Sequence, residues 1–457
     1  MIYPPVAARD ALYRRLLTST MLVRTPTRFG ERGHSFLYAS ANAVVRNMPP
    51  DDEIGREAMA FWSEMRAALA PGGSASVFPA DGEHETIKAS VRELYAAGRY
   101  STLLFEGYIA DSASEQAPMV EALAAEFTAQ GVTVLRPSGP VSDAWNNKTR
   151  FVNYMRELYG PEATPPGDVF PVTPASDVIA AATARLASAG RVILKVTGFA
   201  GFGNLVLSQD DADAGRLAGR VTAFLDSRPD VNEVRVEDWV VWNRTLCASF
   251  FIDETGEPIP LEVCSQLLTE NTGFLGGSSH TGLVLADRQA LQHLLMPFIE
   301  MAAAAGMRAF LAADVILSDP TGRPAELLLP VSGQAVRFVE ANLRINGHNQ
   351  DRLFVAQLAA RHQRDADRLE HFKVGARPVG VRSRAEFVAL VAAVLDGVAQ
   401  PLGPRLDTGR IYFVVTECLG EQHAHRNDNV LFVGEEVSVD RFESAADCLR
   451  AAGLLKE

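Results

Sequence analysis

Apolar residues recur in the N-terminal part of the chain at helical spacing and, between those segments, in short continuous runs. Helical spacing over Glu57–Leu69, Glu85–Ala97 and Ser114–Gln130 predicts amphipathic helices. The short runs Arg99–Phe105 and Val132–Leu135 are typical of buried strands. Because strand, helix and strand follow one another, we expect an α/β unit with a parallel sheet.

Further along the chain, apolar runs of strand length become frequent. They are Arg191–Val196, Leu205–Leu207, Asn232–Val241, Thr245–Ile252, Arg308–Leu317, Ala335–Ile345 and Arg410–Thr416. Helices are predicted over Phe151–Tyr159, Asp287–Ala305, Ser383–Leu395 and Ala445–Leu455. The turn residues at 254–257 favour an antiparallel meander, and Pro297 should kink or split its helix. The proline-rich stretch 161–174 indicates a linker.

Length and charge narrow the class of protein. At roughly 150 residues per domain, a chain of 457 residues should form about three domains. It carries 43 lysines and arginines against 56 acidic residues, a formal net charge of −13. This excess of acid disfavours a nucleic-acid partner, which needs a basic surface.

Cysteines and apolar runs bear on location. The four cysteines lie far apart and form no CxxC pair, so we expect neither a zinc motif nor a disulfide framework. No signal peptide is evident in the first residues, and stretches such as Met296–Met307 are too short to span a membrane. We therefore expect a cytoplasmic protein without a membrane partner.

A glycine segment and the lysine before it are the first candidates for chemistry. The segment Gly198–Asn204 (GFAGFGN) lies between two predicted strands, where glycine N–H groups can approach phosphate oxygens. It matches neither a Walker A loop nor a dinucleotide fingerprint, so a plain hairpin stays an alternative. Lys195 lies inside the apolar strand just before it. A buried ammonium needs a partner such as phosphate; an outward position on an edge strand is the alternative.

Three oxygen-bearing residues suggest a metal site. Asp314 lies in the apolar run FLAADVIL, while Glu340 and Asn342 are two residues apart and share one face of a predicted strand. Such oxygen ligands suit Mg²⁺, which also takes phosphates and water. Arg344 continues the same face. The alternative is a solvated sheet face on which Arg344 pairs with Glu340.

The order of these motifs, over about residues 145–347, resembles the ATP-grasp superfamily. On this resemblance Lys148 in WNNKTRF and Lys195 are the family's two lysines, Gly198–Asn204 is its mobile phosphate loop, and Val236–Val240 is the hinge strand that binds adenine. The implied ATP contacts are Lys148, Lys195, Gly198, Gly201, Phe202, Gly203, Asn204, Glu237, Asp238, Trp239 and Val240. The implied metal ligands are Asp314, Glu340 and Asn342, and the implied catalytic residues are Lys195 and Arg344.

The resemblance also implies an architecture and an activity. The fold class is α/β (α+β): an N-terminal pre-ATP-grasp α/β domain over residues 1–145, two ATP-grasp lobes over 146–240 and 241–371, and a small C-terminal α/β region over 372–457. The implied activity uses ATP and Mg²⁺ to activate a carboxylate as an acyl phosphate and join it to an amine. The layout is similar to that of the pheganomycin-type peptide ligases, which attach an amino acid to the N-terminus of a peptide.

Several positions depart from the family or stay open. Asn243 and Arg244 stand where an acid usually holds the ribose, and no lysine lies between Arg244 and Arg288 to give the usual extra contact to phosphate. The glycine- and serine-rich segment 276–282 is expected to be a second flexible loop, either closing over substrate or forming a surface turn. Its candidate substrate-binding residues, together with Arg344, are Ser278, Ser279 and His280.

Other features leave the role of the C-terminal region and the reaction open. His423 and His425 provide half a metal site at most, and an exposed loop is the alternative. The region from Phe372 shows no chemistry; covering the acceptor site and forming a homodimer both remain open for it. A small-molecule kinase, a nucleotide-binding regulatory protein without catalysis and a carboxylase are alternatives to the ligase, although no biotin-carrier lysine motif is evident.

Overall fold

The computed structural model describes residues 6–24, 42–45, 76–77, 83–98, 100–106, 113–136, 141, 144–197, 204–213, 215–229, 231–269, 272–378, 380–381, 383–403, 405–416 and 429–456. These residues form three sheets with helices packed against them. None of the described helices is both long enough and apolar enough to cross a membrane. The predicted helix at 57–69 and the histidines at 423 and 425 lie outside the described residues.

The N-terminal sheet has five parallel strands in the order β3-β2-β1-β4-β5. Its elements are α1 (Val6–Thr18), β1 (Thr20–Arg24), β2 (Asn42–Val45), β3 (Ser76–Val77), α2 (His84–Ala97), β4 (Thr102–Glu106), α3 (Ala113–Ala129) and β5 (Thr133–Leu135). Helices α2 and α3 pack on it around buried residues such as Val91, Leu123 and Phe105. The predicted parallel α/β unit is confirmed.

The next sheet has four antiparallel strands in the order β6-β9-β7-β8. The elements of this stretch are α4 (Lys148–Tyr159), β6 (Gly167–Pro171), α5 (Ala175–Ala189), β7 (Arg191–Val196), β8 (Leu205–Ser208), α6 (Gln209–Asp213), α7 (Leu217–Asp226) and β9 (Glu233–Asp238). The prediction of a linker over residues 161–174 was wrong, because this stretch contains strand β6. This strand lies at the sheet edge, where proline is tolerated since one side of the backbone needs no ladder bond.

The largest sheet has nine strands in the order β14-β13-β10-β11-β12-β15-β18-β17-β16. Its elements are β10 (Arg244–Ile252), β11 (Pro258–Leu268), β12 (Phe274–Ser278), α8 (Leu285–Ala304), β13 (Ala309–Ser318), β14 (Ala335–Asn342), α9 (Gly347–His362), β15 (Leu369–Gly375), α10 (Arg384–Val394), β16 (Gln400–Pro401), β17 (Tyr412–Thr416), β18 (Asn429–Glu435) and α11 (Val439–Ala451). All neighbouring strands pair antiparallel except β16 and β17.

Helices cover both faces of this sheet. On one face α4 and α8 share an apolar core that includes Phe151, Phe298 and Phe338. On the other face α9 and α1 pack over a core that includes Tyr13 and Phe354. Because α4 packs on the nine-stranded sheet, the side chain of its first residue, Lys148, lies against that sheet, although Lys148 precedes the four-stranded sheet in the sequence.

A predicted helix break and a predicted loop both lie in regular secondary structure. Helix α8 runs through Pro297 without splitting, and the hydroxyls of Tyr154 and Tyr159 donate to the carbonyls of Pro297 and Leu294 nearby. The expected loop at 276–282 begins as strand β12. A Cβ on Gly277 would come within 2.1 Å of the His348 ring, so the glycine lets helix α9 approach the sheet closely.

The predicted domain limits fall at different kinds of positions relative to the three sheets. The limit at 240 falls just after β9, between the two antiparallel sheets. The limit between 371 and 372 falls inside β15, which pairs with both β12 and β18. The four-domain division therefore stays a prediction, and its last part shares a sheet with the part before it.

Candidate active site

Three buried charges lie together on the four-stranded sheet. Val192, Leu194 and Val196 of β7 face α5 and α7, so the alternate residue Lys195 points to the opposite face. Its Nζ lies 2.6 Å from Glu237 Oε2 on β9. Arg235 Nε lies 2.5 Å from the other carboxylate oxygen, Oε1.

This charge group has a cation in excess. Lys195, Arg235 and Glu237 are 7%, 1% and 1% exposed, so two cations share one carboxylate out of water. The edge-strand alternative for Lys195 was therefore wrong. Burying an uncompensated charge is costly, and a phosphate group is the type of partner that would balance it. Arg156 lies near the same group, where burial and then Arg235 lower the pKa of its guanidinium.

The segment after β9 leaves backbone donors open. The N–H of Trp239 donates to the carbonyl of Arg191 at 3.0 Å, and the Arg191 guanidinium lies 4.3 Å from the centroid of the Trp239 ring. Asp238 pairs with Arg185 at 2.7 Å. Among the described residues, the N–H of Val240 has no hydrogen-bond partner. Its N–H is therefore available to the acceptor edge of a planar ring.

The predicted metal ligands come together on β13 and β14. Asp314 and Glu340 are register partners on these adjacent strands. Asn342 donates its Nδ2 to Asp314 Oδ2 at 3.1 Å, and Gln266 of β11 donates its Nε2 to Asp314 Oδ1 at 3.0 Å. Lys148 Nζ lies 2.9 Å from Glu340 Oε2. The sequence interpretation missed Gln266, which sets the orientation of the Asp314 carboxylate.

The two carboxylates differ in proton affinity. Burial and then the charge of Glu340 raise the pKa of Asp314 to about 7. Burial also raises the pKa of Glu340, but Lys148, Lys195 and Arg344 outweigh it, and the pKa of Glu340 lies below its usual value. Since Lys195 belongs to the four-stranded sheet, its effect on Glu340 shows that the charged groups of the two sheets lie near each other.

The donor set fits Mg²⁺. It offers two carboxylates and the amide oxygen of Asn342, whose nitrogen is already used by Asp314. Among the described residues, no group of three or more histidine, cysteine, aspartate or glutamate side chains is arranged to hold a metal. Mg²⁺ commonly takes only one or two carboxylates and completes its shell with water and substrate phosphates.

A short segment before α4 ties the two sheets together. Asn146 Oδ1 accepts from the N–H of Leu343, just after β14, at 3.0 Å. The N–H of Lys148 donates to the carbonyl of Thr197, just after β7, at 2.9 Å. Asn147 caps α4 by accepting from the N–H of Arg150. Asn146 and Asn147, which the sequence interpretation did not single out, therefore fix the position of Lys148.

The remaining predicted residues are placed differently. Strand β14 ends at Asn342, so half-buried Arg344 lies in the bend after it. Its charge acts to lower the pKa of both Asp314 and Glu340, although burial and Glu340 raise the pKa of Asp314 overall. Asn204 donates to the hydroxyl of Thr272, before β12. Gly198, Gly201, Phe202 and Gly203 lie outside the described residues.

Ser278, Ser279 and His280 lie at the seam between β12 and β15. The Ser278 hydroxyl donates to the carbonyl of His371 at 3.1 Å, and the N–H of His371 donates to Ser279 Oγ at 2.9 Å. His280 lies 3.9 Å from Glu370. Strands β10 and β11 separate this seam from Asp314. Their substrate-binding role stays a prediction, while their observed contacts fasten two strands.

Solved structures are similar in fold to nearly the full chain. N5-carboxyaminoimidazole ribonucleotide synthetase with ADP is 12% identical at a TM-score of 0.53, covering 96% of this chain and 97% of that one. The Aspergillus clavatus N5-carboxyaminoimidazole synthase with ADP and 5-aminoimidazole ribonucleotide is 12% identical at 0.54, covering 95% and 99%. The chain has an ATP-grasp fold.

A third structure with this fold extends the comparison. The biotin carboxylase domain dimer of Hydrogenobacter thermophilus 2-oxoglutarate carboxylase, with MgADP, ADP and bicarbonate, is 12% identical at a TM-score of 0.54, covering 94% of this chain and 90% of that one. No protein-family model and no curated protein matches the chain significantly. Within this fold, Lys195 of the four-stranded sheet lies close enough to Glu340 of the nine-stranded sheet to lower the pKa of its carboxyl group.

Proposed function

We propose that the chain is an ATP- and Mg²⁺-dependent carboxylate–amine ligase. In the finer form of the proposal, it forms a peptide bond between an amino acid and a peptide in the biosynthesis of a secondary metabolite, and releases ADP and phosphate. The observation that carries the proposal is the opposition of charges between the lobes. A buried cation excess around Lys195 faces the partly exposed carboxylates Asp314 and Glu340.

Nucleotide binding would use both lobes. The adenine ring would lie against Ile193 and the hinge, where the N–H of Val240 is available as a donor to its edge. Lys195 and Lys148 would neutralise phosphate oxygens. Because both carboxylate oxygens of Glu237 contact cations, its side chain holds Lys195 in place instead of binding adenine.

The chemistry follows from where the charges lie. Mg²⁺ held by Asp314, Glu340 and Asn342 would neutralise charge on the phosphate oxygens. The substrate carboxylate attacks the γ-phosphorus, ADP leaves, and an acyl phosphate forms. The amine then attacks the acyl carbon and phosphate leaves. Arg344 stabilises negative charge in both steps, and no side-chain nucleophile is required because the lobes position the reactants.

The test is phosphate release from ATP and Mg²⁺ against pairs of amino acids and short peptides, with product masses recorded. Release that needs both an acid and an amine, with a product lighter by one water than their sum, is the expected result. A stable phosphorylated acid without amine would indicate a kinase instead. AMP and pyrophosphate as products would indicate adenylate chemistry, and absence of ATP binding would contradict the proposal altogether.

A further inference from the structure

Arg337 of β14 is a buried cation that the protein leaves without a partner. It is 3% exposed, and its Nε and Nη1 atoms are fully buried with no hydrogen-bond partner among the described residues. No ion pair and no ring contact of its guanidinium occurs in the described part of the chain either. An arginine stays charged in a protein. Because a buried charge without compensation is costly, this guanidinium indicates a place for a bound anion.

Arg337 lies on the same face of the nine-stranded sheet as the predicted metal ligands. Val336 and Phe338, on either side of it, belong to the apolar core that α4 and α8 cover. The Arg337 side chain therefore points to the opposite face. The residues on either side of Asp314 belong to that core as well. Asp314 and Arg337 thus project toward the same side of the sheet.

The strand register gives the separation between Arg337 and the metal site. Asp314 pairs with Glu340, and Ile316 pairs with Arg337. Two residues of β13 separate these two rows, which corresponds to about 6.8 Å along the strand. A group bound at the metal site could therefore reach Arg337 with its next one or two bonded units.

The hinge at Val240 lies beyond Arg337 along the same strands. The N–H of Asn243, which follows the hinge, donates to the carbonyl of Leu317 at 2.8 Å. Leu317 comes one residue after Ile316, the register partner of Arg337. Arg337 therefore lies between the metal site and the hinge. In the proposed nucleotide position, the outer phosphates occupy the first and adenine the second, so the ribose and the α-phosphate come between them.

The carboxylates of the neighbouring row do not balance the charge of Arg337. Glu340 is paired with Lys148 at 2.9 Å, and Asp314 accepts two hydrogen bonds from other side chains. This row is also reached by solvent, since the Glu340 side chain is 25% exposed and Asp314 is partly exposed. An anion can therefore enter beside Arg337, and the long side chain of Arg337 can extend to meet it.

We propose that Arg337 binds the α-phosphate of the nucleotide. Its guanidinium carries N–H donors in a planar arrangement that suits phosphate oxygens. The inference rests on the nucleotide binding in the proposed function. It supplies a basic phosphate contact in place of the lysine that is missing between Arg244 and Arg288.

Binding of ADP, AMP and adenosine in EDTA, measured by calorimetry, tests this assignment. All three contain adenine and ribose, but only ADP and AMP contain an α-phosphate, and EDTA removes any contribution of a metal. We expect Arg337→Met to weaken ADP and AMP binding by roughly tenfold or more, the effect of losing a hydrogen bond between charged groups. Adenosine binding should stay unchanged. Arg450→Met, which removes an exposed arginine of α11 paired with Asp447, is the control and should bind all three as the parent does.

Thermal unfolding separates a role in binding from a role in stability. Because Arg337 is a buried charge without a partner, Arg337→Met should raise the melting temperature of the nucleotide-free protein. The rise in melting temperature on adding ADP should become smaller, since the variant binds ADP more weakly. A lower melting temperature of the nucleotide-free protein in both Arg337→Met and Arg337→Gln would show that the guanidinium has a structural partner, and would overturn the inference.

The second variant also keeps the binding series decisive. If Arg337→Met alone does not fold, Arg337→Gln takes its place, with the same expected losses for ADP and AMP. AMP binding equal to that of the parent, or equal losses for AMP and adenosine, overturns this inference alone. Failure of the parent protein to bind MgATP overturns the proposed function instead.

Discussion

The two antiparallel sheets each bury a lysine in a strand, and the two lysines differ in what balances them. On the four-stranded sheet, Lys195 and Arg235 share the single carboxylate of Glu237. On the nine-stranded sheet, Lys373 has Asp351 to itself. The first group carries an excess of positive charge and the second is neutral. The difference indicates that the first group can accept an anion such as a phosphate chain, whereas the charge of the second is already balanced within the protein.

Removing each carboxylate is the strongest way to break this comparison. Glu237→Gln and Asp351→Asn each leave a buried cation without its carboxylate partner. Each should therefore lower the free energy of unfolding by about 3–5 kcal/mol. MgATP should restore much of the loss in Glu237→Gln, because phosphate replaces the missing charge, and little of it in Asp351→Asn. Urea unfolding with and without MgATP measures this. Equal restoration of both variants would remove the distinction between the two lysines.

Lys195 and Lys373 should also separate in catalysis. Lys195→Ala should reduce phosphate release by about 10²–10³-fold, the usual effect of losing one preorganised contact to transition-state charge. Glu340→Gln should lose turnover similarly. Circular dichroism should show both variants folded. The surface variant Lys88→Ala serves as control, and near-normal turnover in Lys195→Ala would exclude Lys195 from the site.

Gln266 orients the predicted metal ligand Asp314, and its loss should have an intermediate effect. Gln266→Leu deprives Asp314 of an orienting hydrogen bond, so Mg²⁺ should bind about 10–100-fold more weakly, as is common when a residue behind a metal ligand is lost. The readout is the Mg²⁺ concentration that half-saturates ATP turnover. Gln209→Leu, on the surface helix α6, is the matched control. The same half-saturating concentration in both variants would contradict the role given to Gln266.

The last expected effect, the smallest when it is counted per pH unit, is in the pH dependence of stability. A histidine that is buried neutral binds fewer protons in the folded than in the unfolded chain, so stability should fall as the pH drops from about 6.5 toward 3. His348, with its pKa near 3, should contribute about 1.4 kcal/mol for each pH unit over that range. His348→Gln should flatten the slope. A slope equal to that of the parent would show that His348 takes up no proton differently on unfolding.

The same two lysines show how far sequence reasoning reaches. Lys195 was singled out because it is a charged residue inside an apolar strand that precedes a glycine segment. Local patterns also predicted the parallel N-terminal sheet and the run of antiparallel strands. Asp314 and Glu340 were expected on neighbouring strands because both lie in apolar runs of strand length, and they are register partners on β13 and β14. These signals are local in the chain, so periodicity and composition detect them.

The sequence interpretation missed Lys373 and Gln266 because their partners are distant in the sequence. Lys373 in HFKVG meets Asp351 only after α9 folds back over the sheet, and Gln266 meets Asp314 only across β10. Strand β6 was missed because an edge strand tolerates the prolines that usually indicate a linker. Strand β12 was taken for a loop because its glycines reflect the approach of α9, which no local pattern reveals.

The pairing of β15 with both β12 and β18 bears on how the chain would respond to shortening. A chain ending at residue 371 would lose most of β15 and leave one edge of β12 unpaired, with β11 as its remaining neighbour. Unpaired strand edges invite pairing with other molecules and aggregation. The C-terminal strands therefore protect the interior of the sheet from self-association, and proteolytic release of this region should yield an insoluble remainder instead of a smaller working enzyme.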